Sequence, residues 1–96
     1  MPSIYLDSNA TTQVHPEVVE AMMPFLTDTW YNPSSGYSAG QKVKTAINEA
    51  REQVAALIGA TPAEIVFTGC GTGSNNMALK SLARIVGRKH SKVVTS

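Results

Sequence analysis

The stretch that decides the fold is residues 65–80, which read I-V-F-T-G-C-G-T-G-S-N-N-M-A-L-K. Ile65, Val66 and Phe67 form a short apolar run between turn-forming residues, and such a run predicts a buried β-strand. Three alternating glycines follow and interrupt any regular pattern, and from Ser74 onward the apolar spacing is helical. The stretch therefore predicts a strand, a glycine-rich turn and the N-terminus of a helix.

This arrangement favours an anion site between the strand and the helix. First-turn amides have no acceptor within a helix, the helix dipole favours negative charge, and glycine lets a phosphate approach the backbone. Thr72 adds a hydroxyl donor. The alternative is that the glycines serve only a tight turn. The spacing is not G-x-G-x-x-G, because Ser74 occupies the last position, and no G-K-[ST] follows, so a Walker-type loop is not expected.

The composition is that of a small globular chain without a strongly charged partner. Its 96 residues carry eight basic and seven acidic side chains, so neither nucleic acid nor an anionic membrane is expected as a partner. One cysteine allows no internal disulfide, and the two histidines lie far from other ligand types, so we expect no metal site. With no signal-like N-terminus or membrane-length apolar run, we expect a cytoplasmic protein, with an organelle matrix as the alternative.

Two helices are predicted upstream of the glycine turn. The first is expected to begin at about His15-Pro16, because proline suits an early position of a helix, and Pro24 should kink or end it. The second is expected from about Ser38 to Ile58, where apolar residues recur at steps of three and four and charged residues lie opposite. Gly59 is placed to end this helix.

Shorter segments complete the pattern. Ile4–Leu6 predicts a brief strand or an extended arm, Asn32–Gly36 a turn cluster, and Thr61–Glu64 a turn. A further apolar run, Lys92–Thr95, follows the last helix. Strand, helix and strand form the unit of a parallel sheet, and such a sheet is normally covered on both faces. We therefore expect an α/β fold in which this chain is the opening part of an incomplete parallel-sheet large domain.

Four motifs follow one another along nearly the whole chain: Y-L-D-S-N-A-T-T at Tyr5–Thr12, N-P-S-S at Asn32–Ser35, E-A-R at Glu49–Arg51, and E-I-V-F-T at Glu64–Thr68 with its glycine turn and S-N-N. In this order they resemble the cysteine desulfurases, the NifS- and IscS-like members of the class V aminotransferase family. The resemblance implies the N-terminal part of a fold-type I pyridoxal-phosphate-dependent transferase. Residues 1–62 would then be an N-terminal arm and helices, and residues 63–96 the start of the cofactor-binding α/β sheet.

The resemblance also implies site residues. Gly71 and Thr72 would hold the cofactor phosphate through a backbone amide and a hydroxyl, at the anion site expected from the residues alone. Asn9 and Ala10 would lie near the substrate, with a simple turn before a helix cap as the alternative. No catalytic residue is expected in this chain, because the family's Schiff-base lysine and nucleophilic cysteine belong to later segments. Cys70 is expected to be a small, packed loop residue.

Two positions depart from the family's pattern. Gly73 stands where the family usually has glutamate, and Tyr37 stands where it usually has histidine. A glycine at a helix start costs roughly 0.5–1 kcal/mol in conformational order and removes any contact that the glutamate made.

A complete relative would convert L-cysteine to L-alanine and transfer the sulfur as a persulfide for iron–sulfur cluster assembly or thio-modification. The resemblance implies a homodimer that meets sulfur-acceptor scaffold proteins. Selenocysteine lyase or another class V aminotransferase is an alternative within the family. From other classes, the chain would be a non-catalytic remnant or interaction piece, or an independent phosphate-binding module. The isolated chain is expected to be inactive.

Overall fold

A computed structural model describes residues 3–86, 92 and 94 of this chain. These residues form three α-helices, α1 (Pro16–Thr27), α2 (Ser38–Ile58) and α3 (Gly71–Val86), and a short 3-10 helix at Pro62–Glu64 where a turn was predicted. The chain divides into two compact units, Met1–Pro62 and Ala63–Ser96. The functional division predicted at the same residues, into an arm with helices and the start of a sheet, stays a prediction.

The first helix, α1, begins at Pro16, where the missing N–H of proline leaves no bond unmade. The helix continues for three residues beyond Pro24 and ends at Thr27, so Pro24 begins its last turn. Two bonds support that turn. The Thr27 hydroxyl donates to the Met23 carbonyl at 2.9 Å, and the Asp28 amide donates to the Pro24 carbonyl at 3.0 Å. Proline therefore shapes the end of this helix without stopping it at once.

The second helix, α2, has the predicted bounds, Ser38–Ile58. Gly59 follows in the left-handed conformation, with φ of 69°, which confirms the predicted glycine end. Its amide donates to the Ala56 carbonyl at 3.4 Å, and the Ala60 amide donates to the Ala55 carbonyl at 2.9 Å. These two bonds form a Schellman motif, which satisfies the last carbonyls of the helix.

The loop before α2 packs directly on the first turn of that helix. The Ser34 amide donates to the side-chain oxygen of Asn32 at 2.9 Å, and the Ser35 amide donates to its carbonyl at 3.1 Å, so the predicted turn is confirmed. Gly40 is buried under this turn. A Cβ at Gly40 would lie 2.7 Å from the Asn32 carbonyl oxygen and 2.8 Å from that of Ser35, closer than such atoms approach.

Three aromatic rings lie beside the same loop. Trp30 stacks on Tyr31 with ring centroids 5.4 Å apart, and Tyr31 meets Tyr37 edge to face at 6.2 Å. Both geometries are favourable for aromatic pairs, so the rings add to the local order of this loop. Tyr37, which departs from the family's pattern, is thus a packing residue of the turn before α2.

The predicted strands are not formed in the described part of the chain, which is helical or irregular throughout. Residues 65–68 lie outside any helix, and Val66 and Phe67 are 62% and 48% exposed, so the prediction of a buried strand is wrong for this chain. A strand is stable only within a sheet of several strands. Ile4–Leu6 is likewise irregular and exposed. In the predicted run Lys92–Thr95, Val93 and Thr95 lie outside the described residues.

Little apolar surface is buried within the chain. Ala55, 1% exposed, is the one buried apolar side chain among the described residues. Leu26 on α1 and Ile85 on α3 are 67% and 83% exposed. Many other large apolar side chains of the described residues are exposed as well. In the larger α/β domain expected from the sequence, these helix faces would be covered. Across the described residues, the structure contains no helix with the length and apolar character that a membrane crossing requires.

Candidate anion-binding site

The glycine turn leads into α3 earlier than the sequence predicts. The helix begins at Gly71 and not at Ser74, so Gly71, Thr72 and Gly73 form its first turn and the bend is confined to residues 69–70. Glycine adopts helical angles as well as turn angles, so these glycines do not interrupt the helix. The correction places Gly71 and Thr72 where the backbone amides have no acceptor within the helix.

Cys70 occupies the N-cap position of α3. Its carbonyl accepts the first helical bond, from the Ser74 amide at 3.1 Å, and its Sγ accepts a bond from the Gly73 amide at 3.4 Å. A side chain that accepts from the third helical amide is an N-cap, although sulfur is a weaker acceptor than oxygen. Cys70 is also exposed, so the prediction of a packed loop residue is wrong. Its side chain caps the helix instead.

Two hydroxyls tie the two sides of the turn together. Thr68 Oγ1 lies 2.6 Å from Ser74 Oγ, which joins the residue before the turn to the first helical residues after it. The same Thr68 atom lies 3.1 Å from the Cys70 carbonyl oxygen, and Ser74 Oγ lies 3.4 Å from it. Neither residue was predicted from the sequence. Hydroxyl residues on both sides of a glycine turn are a signal that could have found them, since such side chains often bond to nearby backbone.

The amides of Gly71 and Thr72 are the open donors of the site. Both residues are exposed, and no acceptor for their amides or for the Thr72 hydroxyl lies within the described residues. A Cβ built on Gly71 would meet nothing within 4 Å, so the space beside its backbone is free. Open amides and a hydroxyl at the positive end of a helix dipole are donors that suit a phosphate group.

Gly73 is not required by the geometry of the turn. A Cβ at this position would lie 3.8 Å from Cys70 Sγ and 3.9 Å from Thr68 Cβ, which are ordinary contacts. The departure from the family's glutamate therefore has no steric cause in this structure. Nowhere in the described residues do three or more His, Cys, Asp or Glu side chains come together as a metal site.

Asn9 and Ala10, the predicted substrate residues, lie side by side in an exposed turn. The Ala10 amide donates to the Asp7 carbonyl at 3.0 Å, and the Tyr5 hydroxyl donates to the same oxygen at 2.8 Å. This turn belongs to the first unit, whereas Gly71 and Thr72 belong to the second. Asn9 and Ala10 thus lie next to each other, and so do Gly71 and Thr72, but the two pairs belong to different units. A substrate role for Asn9 and Ala10 stays a prediction.

Known proteins resemble this chain over most of its length. The Aminotransferase class-V family model matches residues 4–96. A cysteine desulfurase of Trichormus azollae is 58% identical over 81 residues, covering 84% of this chain and 20% of that relative. A selenocysteine lyase of Bos taurus is 46% identical over 87 residues, covering 91% of this chain and 20% of that relative.

A solved structure described as a NifS-like protein matches with a TM-score of 0.84 and 38% identity, over 90% of this chain and 24% of that one. The backbone therefore has the fold of the corresponding part of a pyridoxal-phosphate-dependent transferase. The chain spans 20% of the length of the two curated relatives. Because the family model covers residues 4–96, the chain belongs to the class V aminotransferase family.

Proposed function

We propose that this chain is the N-terminal part of a cysteine desulfurase and that Gly71 and Thr72 hold the phosphate of pyridoxal phosphate. The observation that carries the proposal is the open first turn of α3, where two exposed amides and a hydroxyl adjoin free space. The desulfurase reaction is supported by the 58% identity to the Trichormus azollae relative.

The amides of Gly71 and Thr72 and the Thr72 hydroxyl are hydrogen-bond donors of the kind that bind a phosphate dianion. A helix dipole contributes about 0.3–1 kcal/mol to a charge at the N-terminus. A hydrogen bond to a charged group contributes roughly 1.5–3 kcal/mol. Direct bonds from Gly71 and Thr72 therefore dominate the interaction, and the loss of one donor is measurable. Glycine at residue 71 leaves the space that the phosphate oxygens would fill.

When bound, pyridoxal phosphate supplies an electron sink for reactions of amino acids. The role of this chain is to bind and orient that group. The Schiff-base lysine and the nucleophilic cysteine of the complete protein are expected in later segments. The whole protein would release L-alanine from L-cysteine and carry the sulfur as a persulfide to scaffold proteins for iron–sulfur cluster assembly or thio-modification. It would act as a homodimer, in the cytoplasm or in an organelle matrix, with Asn9 and Ala10 near the substrate.

The test uses a chimera in which this chain replaces the matching part of the Trichormus azollae cysteine desulfurase. We expect Thr72→Val to weaken pyridoxal phosphate binding by about tenfold or more, the size of one lost bond to a charged group. Thr72→Ser keeps the hydroxyl and should bind nearly as tightly as the parent chimera. Thr45→Val on α2 is the matched control. The dissociation constant comes from absorbance titration of the cofactor-free protein, and unchanged binding in Thr72→Val contradicts the phosphate assignment.

Selenocysteine lyase is the second candidate, because the Bos taurus relative is 46% identical over 87 residues. The discriminating measurement is kcat/KM of the chimera for L-cysteine against L-selenocysteine. A matching chimera built on the lyase shows what the later segments contribute. If both chimeras lose the substrate preference of their parents, this chain itself influences specificity. The isolated 96-residue chain should release no sulfide from L-cysteine, and release would overturn the division of labour proposed above.

A further inference from the structure

The hydroxyls of Thr68 and Ser74 make three contacts with only two protons. Their oxygens lie 2.6 Å apart, and each also approaches the Cys70 carbonyl oxygen, at 3.1 Å from Thr68 and 3.4 Å from Ser74. If both hydroxyls donated to the carbonyl, no proton would lie between two oxygens that are at hydrogen-bonding distance. One hydroxyl therefore donates to the other.

The distances assign the direction of this chain of bonds. The shorter contact to the carbonyl belongs to Thr68, which favours the arrangement in which Thr68 donates to Cys70 and Ser74 donates to Thr68. Both protons are then used inside the turn. Neither hydroxyl is left to donate to a ligand, which separates this pair from Thr72, whose hydroxyl has no acceptor within the described residues.

The carbonyl that receives the Thr68 bond lies in the same peptide unit as the Gly71 amide. A peptide unit is planar, so its C=O and N–H directions are coupled. A bond that holds the Cys70 oxygen therefore also holds the direction of the Gly71 N–H. The Ser74 amide, at 3.1 Å from the same oxygen, adds a second anchor that the side chains do not provide.

We infer that Thr68 and Ser74 are positioning residues for phosphate binding: the bond chain from Ser74 through Thr68 to the Cys70 carbonyl aims the Gly71 amide at the ligand. This inference rests on the proposed function, because it supposes that the ligand of the Gly71 amide is a phosphate. It assigns holding to Thr68 and Ser74, and direct contact to Gly71 and Thr72.

The experiment compares pyridoxal phosphate with pyridoxal, which lacks the phosphate, in the cofactor-free chimera. Thr68→Val should weaken pyridoxal phosphate binding by about three- to tenfold, the range of one neutral hydrogen bond. Ser74→Ala should weaken it less, because Thr68 can still donate to the Cys70 carbonyl. Binding of pyridoxal should stay within about twofold, since the positioning role proposed for these hydroxyls concerns only the phosphate. A general loss of structure would weaken both ligands equally, which contradicts the inference.

Two further variants test the chain of bonds itself. Thr68→Ser keeps the hydroxyl and should restore phosphate discrimination. The double variant Thr68→Val with Ser74→Ala should bind no more weakly than Thr68→Val alone, because residues of one network are not additive. Additive losses, or no rescue by Thr68→Ser, overturn the inference. If neither Thr68→Val nor Thr72→Val weakens pyridoxal phosphate binding, both the positioning role and the proposed phosphate site fail. If Thr72→Val weakens binding but Thr68→Val does not, only the positioning role fails.

Discussion

The first turns of α2 and α3 both contain glycine, but the space beside the two glycines is used differently. Beside Gly40, the carbonyl oxygens of Asn32 and Ser35 lie 2.7 and 2.8 Å from where a Cβ would stand. Beside Gly71, nothing lies within 4 Å. The protein's own loop therefore requires the first glycine, whereas the second leaves room for a ligand. Two glycines at similar helical positions thus carry different constraints.

The comparison extends to the backbone groups at the helix ends. At the C-terminus of α2, Gly59 and Ala60 donate to the last carbonyls, so the chain closes that end by itself. At the N-terminus of α3, Cys70 caps the Gly73 amide, while the amides before it have no acceptor within the described residues. A helix end left partly unsatisfied is a place where an anion can supply the missing partner.

The comparison predicts its largest effect for Gly40→Ala. The added Cβ overlaps backbone oxygens that cannot rotate away, so we expect the free energy of unfolding to fall by about 1–3 kcal/mol. Urea denaturation of the chimera described above, followed by far-ultraviolet circular dichroism, measures the change. Gly36→Ala is the control, because nothing lies within 4 Å of its Cβ position. Equal effects of the two variants would break the distinction between filled and open glycines.

A smaller loss is expected for Gly59→Ala at the other end of α2. The φ of 69° is unfavourable for residues with a Cβ, by roughly 1–2 kcal/mol. Gly59→Asn should lose less, since asparagine tolerates this conformation better. The same denaturation experiment compares the two variants. If alanine and asparagine behave alike, the left-handed angle does not control the stability of this helix end.

Gly71→Ala should change the stability of the protein in the opposite direction from Gly40→Ala. The site is open and its φ is not positive, so alanine should raise helix stability by about 0.4–1 kcal/mol through the unfolded state. In the chimera the same change should weaken pyridoxal phosphate binding severalfold, because the Cβ occupies the approach to the amide. Stability and affinity that fall together would show that residue 71 is packed rather than open.

The smallest effect is expected for Cys70→Ser. Serine places a stronger acceptor at the N-cap, so the helix should gain a few tenths of a kcal/mol, and Cys70→Ala should lose about 0.5–1 kcal/mol. Hydrogen exchange of the Gly73 amide reports the change locally, since that amide donates to the Cys70 side chain. Faster exchange in Cys70→Ser than in the parent chain would contradict the assigned cap.

Much of the site followed from the pattern of residues, and the rest did not. The glycine turn before a helix predicted where open amides would stand, and Gly71 and Thr72 are exposed first-turn residues of α3. The helix start itself was placed too late, because alternating glycines resemble an irregular segment until their capping partners are known.

The sequence by itself determined the bounds of α2, its end at Gly59 and the start of α1 at Pro16, because these depend on groups within a few residues of one another. Only the tertiary structure decided that Gly40 is buried under the preceding loop and that Thr68 meets Ser74 across the turn. It also decided that residues 65–67 form no strand here. A sheet needs partner strands that no local pattern supplies. The contacts of Gly40 and Thr68 are close along the chain, but they depend on how the intervening turn folds, which residue spacing alone does not specify.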